Sequence, residues 1–372
     1  MPNKKPSKKK PVALMGKCNW ASNANVRQGR EHRKWSGSSD FPFIPGTEVD
    51  LTRLNVEKGR RIVPMATWGK ELEYWNKPAI LRRLARERLS LIKDLASQGF
   101  KVKLVLEEPK LSEAEEKFAD LAVKAGASIG TTREHSALNT PFVRDSFSFI
   151  AGTRFVFSPD LKDRIARNPD KTMRFPAKPQ AKRKWYYSYL GEGGAVVNIG
   201  NRCVLVGEPT AKKAVPEIKF LEGQGVKTFI LPMGFIESFK TKADNKTVQV
   251  YRKTHHIDLF INRVPGKRVL VVDPMYYGDN QELVDRIANS LGYRVLRVPE
   301  NEGKFFPANF FDLGKGRILV NRGAKQTIEK LRELGVDAIP TSRTLRASAI
   351  LASGARCALN LPLHSMKRVG LA

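Results

Sequence analysis

The sequence predicts an α/β fold of five ββαβ units set in a pseudo-fivefold ring, a five-bladed α/β propeller. Three observations predict it. First, hairpin-like segments recur as FSFIAGTRFVFSPD, VVNIGNRCVLVGEP, LFINRVPGKRVLVVDP and FFDLGKGRILVNRG. Each joins two apolar runs through a turn containing Gly152, Gly200, Gly266 or Gly314, the pattern of a tight β-hairpin. Second, stretches of helical periodicity end on a glycine and resume as a strand. Third, the order of these pieces repeats, and closing such units on one another removes exposed sheet edges.

In chain order, residues 1–16 carry Lys4, Lys5, Lys8, Lys9 and Lys10 and read as a disordered basic tail. The apolar stretch within them is too short for a signal peptide. Residues 17–372 read as a single domain. Within it, Lys17 to Arg61 and a basic insertion around 159–185 lack periodicity and read as loops or flaps. AILRRLARERLSLIKDLASQGFKVKLVLEEP and EAEEKFADLAVKAGASIG each read as a helix ending near Gly99 or Gly126, then a strand. The same order returns in AVPEIKFLEGQGVKTFILP, NQELVDRIANSLGYRVLRVP and AKQTIEKLRELGVDAIP, giving about five helix–glycine–strand units. In the last, Ile328, Leu331 and Leu334 share a helical face, Lys330 and Arg332 face water, and Gly335 suits the helix end.

Composition bounds the function. Of 372 residues, 41% are hydrophobic, enough for an ordinary core, and the absence of a long apolar run argues against a transmembrane helix. The 66 Lys and Arg against 37 Asp and Glu leave a net charge of +29, which raises weak nucleic-acid association through the basic tail. Much of the charge, as at Arg82, Arg83, Arg86 and Arg88, reads instead as a solvated helix surface. Three separated cysteines with no CxxC pair argue against a disulfide framework or a structural zinc site. A reducing, cytoplasmic setting follows, with no cofactor and no metal expected.

Four segments carry the chemistry. Arg144-Asp145 opens an apolar strand in TPFVRDSFSFI, where an aspartate either caps the strand or faces a cation. Glu192 lies in YLGEGGAVVNIG, where Gly193 and Gly194 let the backbone bend before a strand and leave the carboxylate at its mouth. His256 and Asp258 lie in KTHHIDLFINRV; in a strand they share one face, with His255 on the opposite side. Cys357 ends the small-residue turn SGARC, where Arg356 adds positive potential that favours thiolate. Cys203, inside CVLVG, reads as a small core hydrophobe. A thiol, an imidazole and several carboxylates form a set able to hold a planar cation and attack its carbon.

The order RD, EGG, HxDxF and then a small-residue turn ending in Cys resembles the guanidino-group-modifying enzymes of the pentein superfamily, from about Ala66 to Leu363. Arginine deiminase, agmatine deiminase and glycine amidinotransferase belong to that superfamily, whose fold is an α/β propeller. The resemblance makes 17–372 a catalytic domain and Cys357 the nucleophile. It makes His256 the general acid and base, Asp145 and Glu192 guanidinium-binding carboxylates, and Asp258 a further acid at the substrate. Asn309, in PANFFDLGKGRILVNRG, and Arg144, Arg346 and Arg356 are the substrate-binding candidates, Arg356 foremost. Ala195 stands where deiminases have an acid after EGG, and SGARC replaces their glycine-rich GGxHC-type turn. These departures keep the catalytic set and leave the substrate open among arginine, agmatine and related small molecules.

The expected activity is hydrolysis of a guanidino group through a covalent amidino-thioether. The alternatives are amidino transfer to an amine, and a non-catalytic basic protein associated with nucleic acid.

Overall fold

The computed structural model describes residues 12–15, 54–62, 78–107, 113–132, 147–157, 185–200, 202–243, 246–346 and 359–360. In the first part of the chain the strands are β1 (Val12–Met15), β2 (Asn55–Glu57), β3 (Arg60–Ile62), β4 (Lys101–Glu107), β5 (Ala127–Thr132), β6 (Phe147–Ile150), β7 (Thr153–Val156) and β8 (Trp185–Tyr187). The helices here are α1 (Pro78–Ser97) and α2 (Glu113–Lys124). Then come β9 (Val196–Gly200), β10 (Cys203–Gly207), α3 (Glu208–Lys213), α4 (Val215–Gly223), β11 (Lys227–Leu231), β12 (Gly234–Ala243) and β13 (Lys246–Thr254). The remainder comprises β14 (Ile261–Arg263), β15 (Val269–Val272), α5 (Pro274–Leu291), β16 (Arg294–Arg297), β17 (Phe311–Gly314), β18 (Arg317–Val320), α6 (Lys325–Glu333), β19 (Asp337–Pro340) and β20 (Leu359–Asn360).

The hairpins form where the glycine turns lie. At Ala151-Gly152 both residues take positive φ, 47° and 80°, the two-residue turn whose twist matches that of paired strands. The strands it joins pair antiparallel from Phe147↔Val156 to Ile150↔Thr153. In three sheets, β9-β10-β11, β14-β15-β16 and β17-β18-β19, such a hairpin is followed by a parallel strand reached through a helix. A parallel neighbour needs a crossover of this length, and a helix supplies it. The β6-β7-β8 sheet has the same antiparallel-then-parallel pairing.

A fifth sheet, β20-β1-β4-β5, follows the same plan from the two ends of the chain. β20 pairs antiparallel with β1 (Leu14↔Asn360, Met15↔Leu359), and β1 pairs parallel with β4. Val12–Met15, within the stretch expected to be tail, is therefore a central strand. The five helix–glycine–strand units are not one per sheet: those ending near Gly99 and Gly126 both feed this sheet, as β4 and β5.

A sixth sheet, β12-β13-β3-β2, was not foreseen. Lys17 to Arg61, read as irregular, contributes its β2–β3 hairpin, and β3 adds parallel to the long β12–β13 hairpin. Arg60 Nη1 reaches Asp279 Oδ2 at 2.6 Å and its guanidinium lies 5.0 Å from the centre of the Phe235 ring. Lys253 Nζ sits 2.8 Å from Glu57. These contacts tie the sheet to α5 and to its own neighbouring strands.

Alternation within the buried strands joins one sheet to the next. In β10, Val204 and Val206 pack with Ile150 and Phe155 of the β6-β7-β8 sheet. Cys203 and Leu205, on the other face, pack with Leu270 and Val272 of β15. Val269 and Val271 of β15 meet Ile318 and Val320 of β18, and Leu319 turns to Val102 and Leu104 of β4. Period-two side-chain alternation thus gives each three-stranded layer two apolar faces. Each side chain fully withdrawn from water contributes about 1.5–3 kcal/mol.

In α6, Ile328 and Leu331 are buried, Leu334 is half-buried, and Lys330 and Arg332 are exposed, as the periodicity predicts. Arg88 departs from expectation: it is fully buried rather than solvated. It lies four residues after Leu84 and three before Leu91, on the apolar stripe of α1. Cys203 is buried as a small core residue, and burial pushes its thiol up against an opposing pull from Lys227. Among the described residues no helix is long and apolar enough to cross a membrane.

Candidate active site

Glu192 stands between two short 3-10 turns, Tyr189–Gly191 and Gly193–Ala195, immediately before β9. Ser188 caps the first turn, accepting from the Leu190 amide at 3.0 Å, while the Ser148 hydroxyl of β6 donates to the Leu190 carbonyl. Gly193, Gly194 and Ala195 are buried, so the backbone turns in close-packed surroundings. The Glu192 side chain emerges 18% exposed. The sequence placed this carboxylate at a strand's mouth, and it is there.

His255 and His256 follow the end of β13. His256 caps a 3-10 turn, Ile257–Leu259, and its amide donates to Thr254 Oγ1 at 3.2 Å. The turn is anchored from both ends. Asp273 N–H donates to the Phe260 carbonyl at 2.7 Å, and the Phe260 ring stacks on Tyr276 with centroids 5.1 Å apart. Gly207 at the end of β10 lies against the backbone of His255; a Cβ built there would sit 2.4 Å from the His255 carbonyl oxygen. Gly234 lies as closely against the Phe260 ring.

This geometry corrects two expectations. His256 and Asp258 do not share a strand face, because the segment is a 3-10 turn and the strand begins only at Ile261. Nor does His255 face away. Its Nε2 lies 3.0 Å from Glu192 Oε2, while His256 Nε2 lies 3.1 Å from Oε1. The two rings meet edge to face, centroids 5.0 Å apart.

One carboxylate therefore serves two imidazoles. Burial opposes ionisation of Glu192. The hydrogen bonds from His255 and His256, with the positive charge those rings can carry, outweigh it and hold the carboxyl well below the usual range. An ionised carboxylate only accepts, so each Nε2 carries the hydrogen it donates. The other nitrogen of a neutral His256 ring, Nδ1, then holds the lone pair. Glu192, His255 and His256 are also the three-residue group among the described residues whose donor atoms all lie within 4.8 Å of one another, a geometry that suits a metal ion.

Asp258 is fully buried, and its backbone carbonyl accepts from Asn309 Nδ2 at 3.1 Å. Asn309, itself buried, thus holds the turn that carries His256 and Asp258. Arg346 is exposed, its amide donating to the Thr344 carbonyl. Cys357, Asp145, Arg144 and Arg356 lie outside the described residues. His255 is the member of the cluster that sequence reasoning missed. The His-His doublet was visible, but only the switch from strand to 3-10 turn brings both rings to one carboxylate.

No protein-family model and no curated protein sequence matches the chain. Solved structures do. A cysteine-to-serine variant of C. jejuni agmatine deiminase with substrate bound superposes at a TM-score of 0.50 and 13% identity, over 77% of this chain and 89% of that one. An amidinotransferase from Microseira wollei, of a saxitoxin biosynthetic pathway, gives 0.49 at 13% identity, over 94% and 93%. DDAH from Pseudomonas aeruginosa, a cysteine-to-serine mutant complexed with citrulline, gives 0.48 at 13% identity, over 95% and 100%. The α/β fold of this chain is the fold of C. jejuni agmatine deiminase.

Proposed function

We propose that the chain is a cysteine-dependent hydrolase of a small guanidino compound. The observation that carries the reading is the Glu192 carboxylate hydrogen-bonded to His256 at the mouth of a strand, a contact that favours its ionised form. Fold likeness adds a scaffold on which such chemistry is performed by agmatine deiminase, and the sequence order adds Asp145 and Cys357. We also propose that the row of five like sheets closes into a ring, with the β20-β1-β4-β5 sheet meeting the β6-β7-β8 sheet. Four apolar clusters that link the sheets in succession support that closure.

A guanidinium is planar and delocalised, and carboxylates that accept its N–H groups fix its plane. In this reading Asp145 and Glu192 hold it, with Asp258 supporting from within the turn. The Cys357 thiolate attacks the central carbon and a C–S bond forms. His256, carrying the proton that the Cys357 thiol lost, gives it to one nitrogen, the C–N bond breaks, and ammonia or an amine leaves. A water then loses a proton to His256 and adds to the amidino-thioether carbon. The C–O bond forms, the C–S bond breaks, and the thiolate and a ureido product result. Arg356, Arg144 and Arg346 are the cations available to an α-carboxylate if the substrate is arginine, and Asn309 acts by holding the His256 turn.

The test is product formation from arginine and agmatine by the full chain and by Cys357→Ala. We expect a ureido product from one of them and at least a 10³-fold loss in the variant, on the scale of removing a covalent nucleophile. Turnover retained in Cys357→Ala would refute the assignment. A new guanidino compound formed with added glycine, without ureido product, would replace hydrolysis by amidino transfer.

A further inference from the structure

His255, His256 and Glu192 offer more than a hydrogen-bonded trio. Two imidazole nitrogens and a carboxylate lie within 4.8 Å of one another, on side chains 24%, 23% and 18% exposed. Two histidines and one carboxylate are a recurrent ligand set for zinc with a fourth position left open. Bonds of about 2.0–2.1 Å in a tetrahedron put neighbouring donors roughly 3.3–3.4 Å apart. His255 Nε2 lies 3.0 Å from Oε2 and His256 Nε2 3.1 Å from Oε1, and one donor atom from each residue lies within 4.8 Å of the others, so rotation of the carboxylate and rings brings the three toward that spacing.

The backbone that carries the trio is already fixed. Gly207 presses on the His255 backbone, the 3-10 turn that His256 caps is held by Asn309 and by the Phe260 carbonyl, and Glu192 sits between two short turns. Preorganised donors of this kind lower the cost of assembling a site. Adjacent histidines alone do not make one; both rings aimed at separate oxygens of a single carboxylate do.

We propose that His255, His256 and Glu192 bind a zinc-class divalent cation, and that this ion and a guanidinium exclude each other. The exclusion follows from shared atoms. An ion on Glu192 takes the lone pairs a guanidinium would engage, takes His256 Nε2 as that nitrogen's hydrogen passes to Nδ1 or to water, and repels a second cation. Binding of the ion stands on geometry alone. Its competition with substrate rests on the guanidino reading above.

Equilibrium dialysis of the full chain against zinc chloride, with metal counted per chain, reads the site without any turnover. We expect one ion per chain, held at least tenfold more weakly in His255→Ala and in Glu192→Gln, the lower end of what outer partners of a metal site alone contribute. Melting curves establish that the variants are folded. No stoichiometric ion on the wild type, or equal affinity in both folded variants, would overturn the site. Cobalt(II) on the wild type is a second reading that needs no variant. Intense visible absorption of a four-coordinate ion, discharged by zinc, supports the site, and the pale spectrum of the hexa-aquo ion refutes it. Loss of zinc in Cys357→Ser with retention in His255→Ala would assign the ion to a thiolate instead. Excess arginine or agmatine should weaken zinc binding; an unchanged affinity beside a demonstrated ureido product overturns the exclusion. Bound zinc without any ureido product leaves the ion site standing and fails the catalytic reading.

Discussion

Glu192 is the residue on which the site turns. Its position was legible: an acid followed by two glycines before an apolar strand can only be delivered at a turn. The role of its neighbour was not. In an extended strand His255 and His256 point to opposite faces, and only a 3-10 turn starting at His256 lets both rings reach one carboxylate. Asp258 and Arg88 teach the same lesson from burial, one fully buried within the turn and the other set on an apolar helix stripe. Because the Glu192 carboxyl is held below its usual value, its contribution to stability is present in full above the ordinary carboxylate range. That contribution is lost only as pH falls through the lowered value. Glu192→Gln should therefore cost about 1.5–3 kcal/mol near neutrality, the scale of hydrogen bonds to a charged group. Urea unfolding at a series of pH values should show the gap between wild type and variant narrowing on strong acidification. A gap independent of pH would remove the ionised carboxylate from the account.

At the scale of elements, the hairpins were legible because their turns need glycine, as at Ala151-Gly152 where both residues have positive φ. Helices ending near Gly292 and Gly335 were legible for the same reason, and Asp273 adds a cap to α5 by accepting from the Met275 and Tyr276 amides. Two elements left no local trace. The β2–β3 hairpin gains its place only by pairing with β13, far along the chain. β20 is two residues long, and its partner β1 lies at the opposite end of the sequence. The junction of β10 with the His255 segment depends on the absence of a side chain at Gly207. Gly207→Ala places a Cβ 2.4 Å from the His255 carbonyl oxygen, so one backbone must yield. We expect a loss of about 1–3 kcal/mol, the usual cost of overpacking, together with reduced turnover as the His255–Glu192 contact opens. Unchanged stability and turnover would show that the junction does not position the site.

For the whole molecule, strand alternation proves the strongest organising signal. The apolar runs of β10, β15 and β18 send successive side chains to different neighbouring sheets, which strings the sheets into one row. The repeat was legible in the sequence, but the allotment of its helices and strands to sheets was not, because α1 and α2 both serve one sheet and the fifth unit is assembled from both ends. That row carries Glu192 before β9 and His256 before β14, on neighbouring sheets, which is why residues 64 positions apart share a hydrogen bond. We propose that Cys357 completes this arrangement as a nucleophile toward guanidino groups. Mass spectrometry of the full chain after treatment with a haloacetamidine, with and without arginine or agmatine, tests it most directly. We expect one thioether adduct, on the peptide containing Cys357, formed more slowly when a substrate is present. Labelling spread over Cys18, Cys203 and Cys357 alike, with no protection by either compound, would contradict it.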